Sequence, residues 1–350
     1  MRKIDDILNA AIEIRASDVH ITVGRPPVFR IHGSLSDRNQ SILTVDEVWT
    51  LIQEILGGQP HHMERLKTNG QVDFSYSIGG TGRFRVNAYQ QRGAYAMAIR
   101  LIPHIIPSME ELGLPPVVAQ LARKENGLVL ITGPTGSGKS TTLASMIELI
   151  NNERSCHVIT LEDPIEYLFR HRRAMVNQRE IGSDSISFGQ ALRSALRQDP
   201  DVLMVGEMRD LETISTAITA AETGHLVLAS LHSSSAAQTV DRIVDVFPPH
   251  QQRQISTQLA STLQGVVSQQ LIPHKDGRGR VLAVEIMVAN GAVRNLIREG
   301  KTHQLDLPIQ TGNQLGMLSM DRSLKSLYQK GLIALEEVEK RAKQLEEVFR

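Results

Sequence analysis

Residues Gly133-Pro134-Thr135-Gly136-Ser137-Gly138-Lys139-Ser140 match the phosphate-binding loop pattern G-x-x-x-x-G-K-[ST] at every fixed position. No other stretch constrains the fold as much, because the loop works only between a strand and a helix. Both flanks fit. Leu128-Val129-Leu130-Ile131-Thr132 is a short apolar run that predicts a buried strand, and Leu143, Met146, Ile147 and Ile150 then recur at helical spacing. Glycines let the backbone curl so that its N–H groups face phosphate oxygens, and the helix N-terminus adds a favourable dipole. Lys139 is placed to reach the β- and γ-phosphates and Ser140 to hold Mg²⁺. Thr141 continues the cradle into the helix.

The chain's 350 residues are enough for two domains with separate cores. Lys+Arg and Asp+Glu are 38 each, so no global basic field draws nucleic acid or anionic lipid. Cys156, the single cysteine, cannot form an internal disulfide and suits a reducing cytoplasm. No stretch approaches about 18 uninterrupted apolar residues, so membrane association is expected only through a partner.

Residues 1–102 predict a smaller α+β domain. Ile4, Ile7, Leu8, Ala11 and Ile12 form one helical stripe. Gly24-Arg25-Pro26-Pro27 and His32-Gly33 mark turns in a strand-like region. Thr44 is a candidate cap for a helix at about 44–56, with Val48, Leu51, Ile52 and Ile55 on its apolar face. Residues 71–102 predict antiparallel strands around a Gly79-Gly80 turn, with Phe84, Val86 and Ala88 alternating with Arg83, Arg85 and Asn87. His61-His62 lacks nearby ligands and is expected at the surface. Four prolines between Pro103 and Pro116 predict a linker over 103–116.

From 117 to 350 the expected class is α/β. Strands at 157–161, 202–206 and 226–231 alternate with helices at about 187–198 and 211–223, which implies a mostly parallel sheet with ligand chemistry at the strands' C-terminal ends. From about 236 onward the chain is expected to be largely helical, interrupted by a strand at 281–288.

Three clusters are candidates to act with the loop. Glu162-Asp163-Pro164-Ile165-Glu166 follows an apolar strand, so Glu162 either orients an attacking water or only caps a turn. Asp201-Val202-Leu203-Met204-Val205-Gly206-Glu207 is a strand ending in an acid, placing Glu207 at the metal or its water shell. His225 and His232 bracket Leu226 to Leu231 and are either structural or phosphate-sensing. Arg83, Arg85 and Arg92 are either solvated or charge-stabilising fingers for a nucleotide bound elsewhere.

Several of these segments, taken together, resemble the secretion-type ATPase superfamily and, within it, the PilT family of type IV pilus retraction ATPases. They are Ile131 to Thr142, Leu161 to Glu166, Leu196 to Asp210 and Thr223 to His232. Ala292-Val293-Arg294-Asn295-Leu296-Ile297-Arg298-Glu299 is similar to that family's AIRNLIRE segment, with Val293 for isoleucine. Ser233-Ser234 stands where the family has threonines.

The resemblance implies a RecA-like P-loop ATPase domain preceded by a PAS-like domain, binding ATP and Mg²⁺ in a homohexameric ring. It implies Glu162 as catalytic glutamate, Glu207 as the Walker B acid, both histidines near the nucleotide, and Arg83, Arg85 and Arg92 completing a neighbouring subunit's site. The implied setting is the inner face of the cytoplasmic membrane. There the ring would act on an inner-membrane platform protein of the PilC type, on pilin indirectly and beside a PilU partner. Changing Arg294 or Leu296 is then expected to spare hydrolysis and stop retraction. The alternatives are a PilU-like accessory ATPase, a nucleic-acid translocase or conjugation-type ring, and a regulatory nucleotide binder. Neutral charge and 4% aromatic residues leave little for tracking nucleic acid, which is not an expected partner.

Overall fold

The computed structural model describes residues 3–343 apart from 32, 38–40, 58–59, 80–81, 103–104 and 278. His32, Gly80 and Pro103, parts of two expected turns and of the expected linker, lie outside the described residues. The chain divides into two compact units, Met1–Ile105 and Ile106–Arg350.

The first unit begins with helix α1 (Ile4–Glu13), followed by strands β1 (Asp18–Thr22), β2 (Val28–Ile31) and β3 (Ser34–Ser36). Helices α2 (Val45–Ile55) and α3 (Pro60–Asn69) lead to β4 (Gln71–Ile78), β5 (Gly82–Gln91) and β6 (Ala94–Ile102). The sheet is antiparallel in the order β3-β2-β1-β6-β5-β4. α2 starts at Thr44 because Thr44 Oγ1 accepts from the Glu47 amide while the Glu47 carboxylate accepts from the Thr44 amide, which satisfies two helix-end donors. Its buried face is Val48, Leu51, Ile52 and Ile55, as the spacing predicts.

The surface expectation for the histidine pair holds for His61 only. His62 is buried on the unforeseen α3, one turn from buried Leu66, and its ring stacks on Phe74 at 5.3 Å. Burial holds its pKa below the usual histidine value, helped by the charges of His61 and Arg65.

The second unit contains α4 (Pro116–Ala122), β7 (Gly127–Thr132), α5 (Lys139–Glu153), β8 (His157–Glu162), β9 (Met175–Glu180), α6 (Phe188–Ala195), β10 (Val202–Val205), α7 (Leu211–Glu222) and β11 (Leu226–Leu231). α8 (Ala236–Asp245), α9 (Pro249–Thr262), β12 (Leu263–Pro273), β13 (Arg280–Val288), α10 (Gly291–Arg298), α11 (Asp306–Thr311), α12 (Met320–Gln329) and α13 (Leu335–Glu339) complete it. The sheet order is β13-β12-β7-β11-β10-β8-β9, parallel except for the β12–β13 pair.

The strand β12 corrects the expectation of a largely helical segment after 236. It lies between β7 and β13 with both faces covered, so Leu263, Gly265, Val266, Val267 and Ser268 show no period-2 pattern. At Gly265 a Cβ would fall 2.9 Å from the Leu121 methyls and 3.0 Å from the Met287 carbonyl, so any side chain there would force the packing of α4 on β12 to shift. Met109 and Leu114 are buried in this unit's core, so the proline-rich stretch from Ile106 onward is packed structure rather than a free spacer. Because β7, β8, β10 and β11 are parallel, Thr132, Glu162, Val205 and Leu231 end side by side. The loops that follow them form one edge of the sheet.

Candidate nucleotide site

The loop from Gly133 to Gly138 has left-handed backbone at Gly133, Gly136 and Gly138. At Gly133 a Cβ would collide with the Gln269 carbonyl and the Ser137 hydroxyl, so glycine is required there. α5 then buries Leu143, Met146, Ile147 and Ile150 and fixes the direction of its N-terminus. Lys139 is 9% exposed and folds back over the loop, its Nζ donating to the carbonyls of Gly133 and Pro134 at 3.0 Å each. Burial lowers the ammonium's pKa, with the charges of Glu207 and Glu166 acting the other way.

Glu162, the last residue of β8, is 7% exposed. Its Oε1 accepts from Thr160 Oγ1 at 2.6 Å and from Gln178 Nε2 at 3.1 Å, while among the described residues Oε2 accepts only a long 3.4 Å bond from the Glu166 amide. Burial pushes the carboxyl up, and the Thr160 and Gln178 hydrogen bonds oppose that shift.

Glu207 follows β10. The Gly206 amide donates to Leu161 O at 2.7 Å and the Met208 amide to Ser230 O at 3.0 Å, so the acid's backbone is held between β8 and β11. Arg209 donates to Glu207 Oε2 at 2.7 Å, and His232 Nε2 lies 3.0 Å from Oε1. Burial acts to raise the Glu207 pKa, but the Arg209 hydrogen bond and the adjacent His232 outweigh it and hold the carboxylate below its usual range. His232 Nδ1 is 3.4 Å from Lys139 Nζ, so lysine, histidine and acid form one chain of contacts.

These groups line a cleft of about 420 Å³ that also includes Thr135, Gly136 and Ser140. Among the described residues no group of three His, Cys, Asp or Glu side chains could hold a metal alone. The Ser140 hydroxyl and the Glu207 carboxylate are instead hard oxygen donors, the set with which Mg²⁺ binds together with phosphate oxygens.

A family model described as type II/IV secretion system protein matches residues 1–340. The chain belongs to this family. Over 340 residues it is 47% identical to the type IV pilus retraction ATPase PilT of Pseudomonas aeruginosa, covering 97% of this chain and 98% of that one. It is 38% identical to that organism's type IV pilus ATPase PilU, over 96% of this chain and 87% of the other. A crystal structure of the pilus retraction motor PilT with bound ADP matches with a TM-score of 0.90 at 48% identity, over 99% of both chains. The chain is thus a PilT homologue with the fold of a secretion-family ATPase, and the resemblance drawn from its motifs is borne out.

Within this secretion-family fold the two histidines part company. His225 precedes β11 beside the start of β7, at the end of the sheet away from the phosphate loop. Its ring contacts Ala220 O at 3.0 Å and the Thr223 hydroxyl at 3.2 Å, a structural role that corrects its expected place beside the nucleotide. A strand of six residues spans about 20 Å, so only one of two bracketing histidines can reach the loop.

The candidate fingers belong to the other unit: Arg83 is half-buried and Arg85 exposed on β5, and Arg92 is exposed in a tight β5–β6 turn with φ of 48°, followed by Gly93 at 76°. Sequence reasoning missed Thr160, Gln178, Tyr167 and Arg209. Only the period-2 spacing of Thr160 and Glu162 on one strand could have pointed to any of them.

Arg294 has a definite structural job. Its guanidinium donates to Ala260 O, Ser261 O and Ala289 O at 2.6–2.9 Å, which holds α10 against the last carbonyls of α9. Arg294→Ala should therefore destabilise the fold by about 1–3 kcal/mol, read as a lower urea midpoint with unchanged slope. An unchanged midpoint would return Arg294 to a purely partner-facing role.

Proposed function

We propose that this chain is a motor ATPase that hydrolyses ATP to power type IV pilus retraction and thereby twitching motility. The observation that carries the reading is the meeting of Lys139, Glu162, Glu207 and His232 in one cleft at the C-terminal ends of β7, β8, β10 and β11. Likeness to PilT along nearly the whole of both chains supports the purpose, and the identity is higher to PilT than to PilU.

In this reading Lys139 turns from the Gly133 and Pro134 carbonyls to the nucleotide's phosphates, and the loop amides hold the same oxygens. Glu162 takes a proton from water as the water oxygen bonds to the γ-phosphorus and the bridging P–O bond breaks, releasing ADP and phosphate. His232 joins Lys139 to Glu207 and so reports phosphate occupancy to the β11 end. Ser140 and Glu207 are the residues that would hold Mg²⁺, which when bound would neutralise charge on the phosphates.

The working assembly is a homohexamer in which Arg83, Arg85 and Arg92 complete a neighbour's site, so that hydrolysis drives domain motion. The ring works at the inner face of the cytoplasmic membrane through a platform protein. Consistent with a peripheral location, no helix among the described residues is long and apolar enough to cross a membrane. The test is a clean deletion strain scored for surface pili and twitching. Hyperpiliated, non-motile cells are expected, whereas bald cells would assign the chain to extension.

A further inference from the structure

We infer that Thr160 and Gln178 are positioning residues that saturate one oxygen of the Glu162 carboxylate and leave the other to receive the proton from the attacking water. The inference rests on the reading of Glu162 as general base and deepens it.

Strand register creates the arrangement. Thr160 lies two residues before Glu162 on β8, so both side chains project from the same face. β8 and β9 are parallel with Thr160 opposite Gln178, which brings the glutamine amide to the same carboxylate. Glu162 Oε1 thereby receives two donors, at 2.6 and 3.1 Å. Among the described residues Oε2 accepts one hydrogen bond, at 3.4 Å, too long to compete with an incoming water proton.

The orientation of Gln178 is set by two further bonds. Its Nε2 also donates to Tyr167 O at 2.8 Å, and its Oε1 accepts from the Phe169 amide at 2.9 Å. The Tyr167 hydroxyl lies 3.0 Å from Thr141 Oγ1 on α5. One glutamine therefore ties the carboxylate to the segment that closes the cleft beside the phosphate loop. An amide bonded at both ends cannot rotate away from the acid, so the base is preorganised at no cost during the reaction. On β9, an edge strand, the half-buried Gln178 thus has hydrogen-bond partners for both ends of its amide.

Thr160 and Gln178 are the only two side-chain donors to the Glu162 carboxylate among the described residues. The charged groups that share its surroundings are Glu166 in the following loop, Asp163 next in the chain, Glu207 and Arg209 after β10, Lys139 on α5, and Glu180 opposite it on β9. Both donors favour the ionised carboxylate against burial and these neighbouring acids.

The experiment measures kcat and KM for ATP across pH in the full-length chain for Thr160→Val, Thr160→Ser, Gln178→Leu and Glu162→Gln. Thr160→Val and Gln178→Leu should lower kcat roughly ten- to hundredfold with KM changed by less than about threefold. Their acid limb should move up by about one pH unit, since a base that has lost a donor stays protonated to higher pH. Thr160→Ser, which keeps the hydroxyl, should restore the wild-type profile. Reduced rates with an unmoved acid limb would make both residues merely structural and overturn the inference, and so would a serine variant that fails to rescue. If Gln178→Leu does not fold, the Thr160 pair decides alone. Normal turnover by Glu162→Gln would instead remove the general-base reading itself, so the two failures are distinguishable.

Discussion

Replacing Lys139 with alanine is expected to cut ATP turnover by at least about a hundredfold, the loss typical of removing one preorganised donor to developing charge. The nearly buried ammonium sits on the loop carbonyls and next to His232, in the cleft that Glu162 and Glu207 also line. Among the described residues that line the cleft the only other Lys or Arg is Arg209, which donates to Glu207. Binding should weaken as well. A nucleotide at a hundred times its Kd stabilises a protein by about 2.7 kcal/mol, and the alanine variant should lose most of the corresponding rise in Tm. Its circular dichroism should be unchanged, because α5 is held by Leu143, Met146, Ile147 and Ile150 and not by the lysine's charge. Near-wild-type hydrolysis by this variant would sink the assignment of the site to residues 133–140.

Glu162→Gln should separate binding from chemistry. Glutamine keeps the shape of the side chain, and its carbonyl oxygen can still accept from Thr160 and Gln178, so the fold and nucleotide affinity should be retained. It cannot take a proton, and kcat should fall about 10²–10⁴-fold. The pH dependence has a definite sign. Burial pushes the Glu162 carboxyl up, and only the ionised form is a base, so wild-type turnover should fall on the acid side at a pH above the usual carboxylate range. The residual activity of the glutamine variant should lack that limb. Unchanged turnover would return Glu162 to the role of a turn cap.

How much of this was legible in the residues depended on how each element is buried. The phosphate loop could be read because its glycines, lysine and flanks are all local. Glu162 and Glu207 could be placed because strands alternating with helices imply parallel β8 and β10. The Thr44–Glu47 capping box likewise lies within four residues. The strand β12 was hidden because a strand covered on both faces loses its alternation, and α9 runs into it without a break. β9 was hidden because Asn177, Gln178 and Arg179 look like a loop until Gln178 is seen against Glu162. The spacing of His225 and His232 leaves either role open for each, and only the family resemblance puts both near the nucleotide; the length of β11 separates His225 from the loop end where His232 sits.

The most direct measurement is live imaging of labelled pili in the deletion strain complemented with Glu162→Gln. The account predicts filaments that extend and stay extended while the variant protein still binds ATP. Filaments that shorten at the wild-type rate would contradict it, because retraction would then proceed without hydrolysis in this cleft.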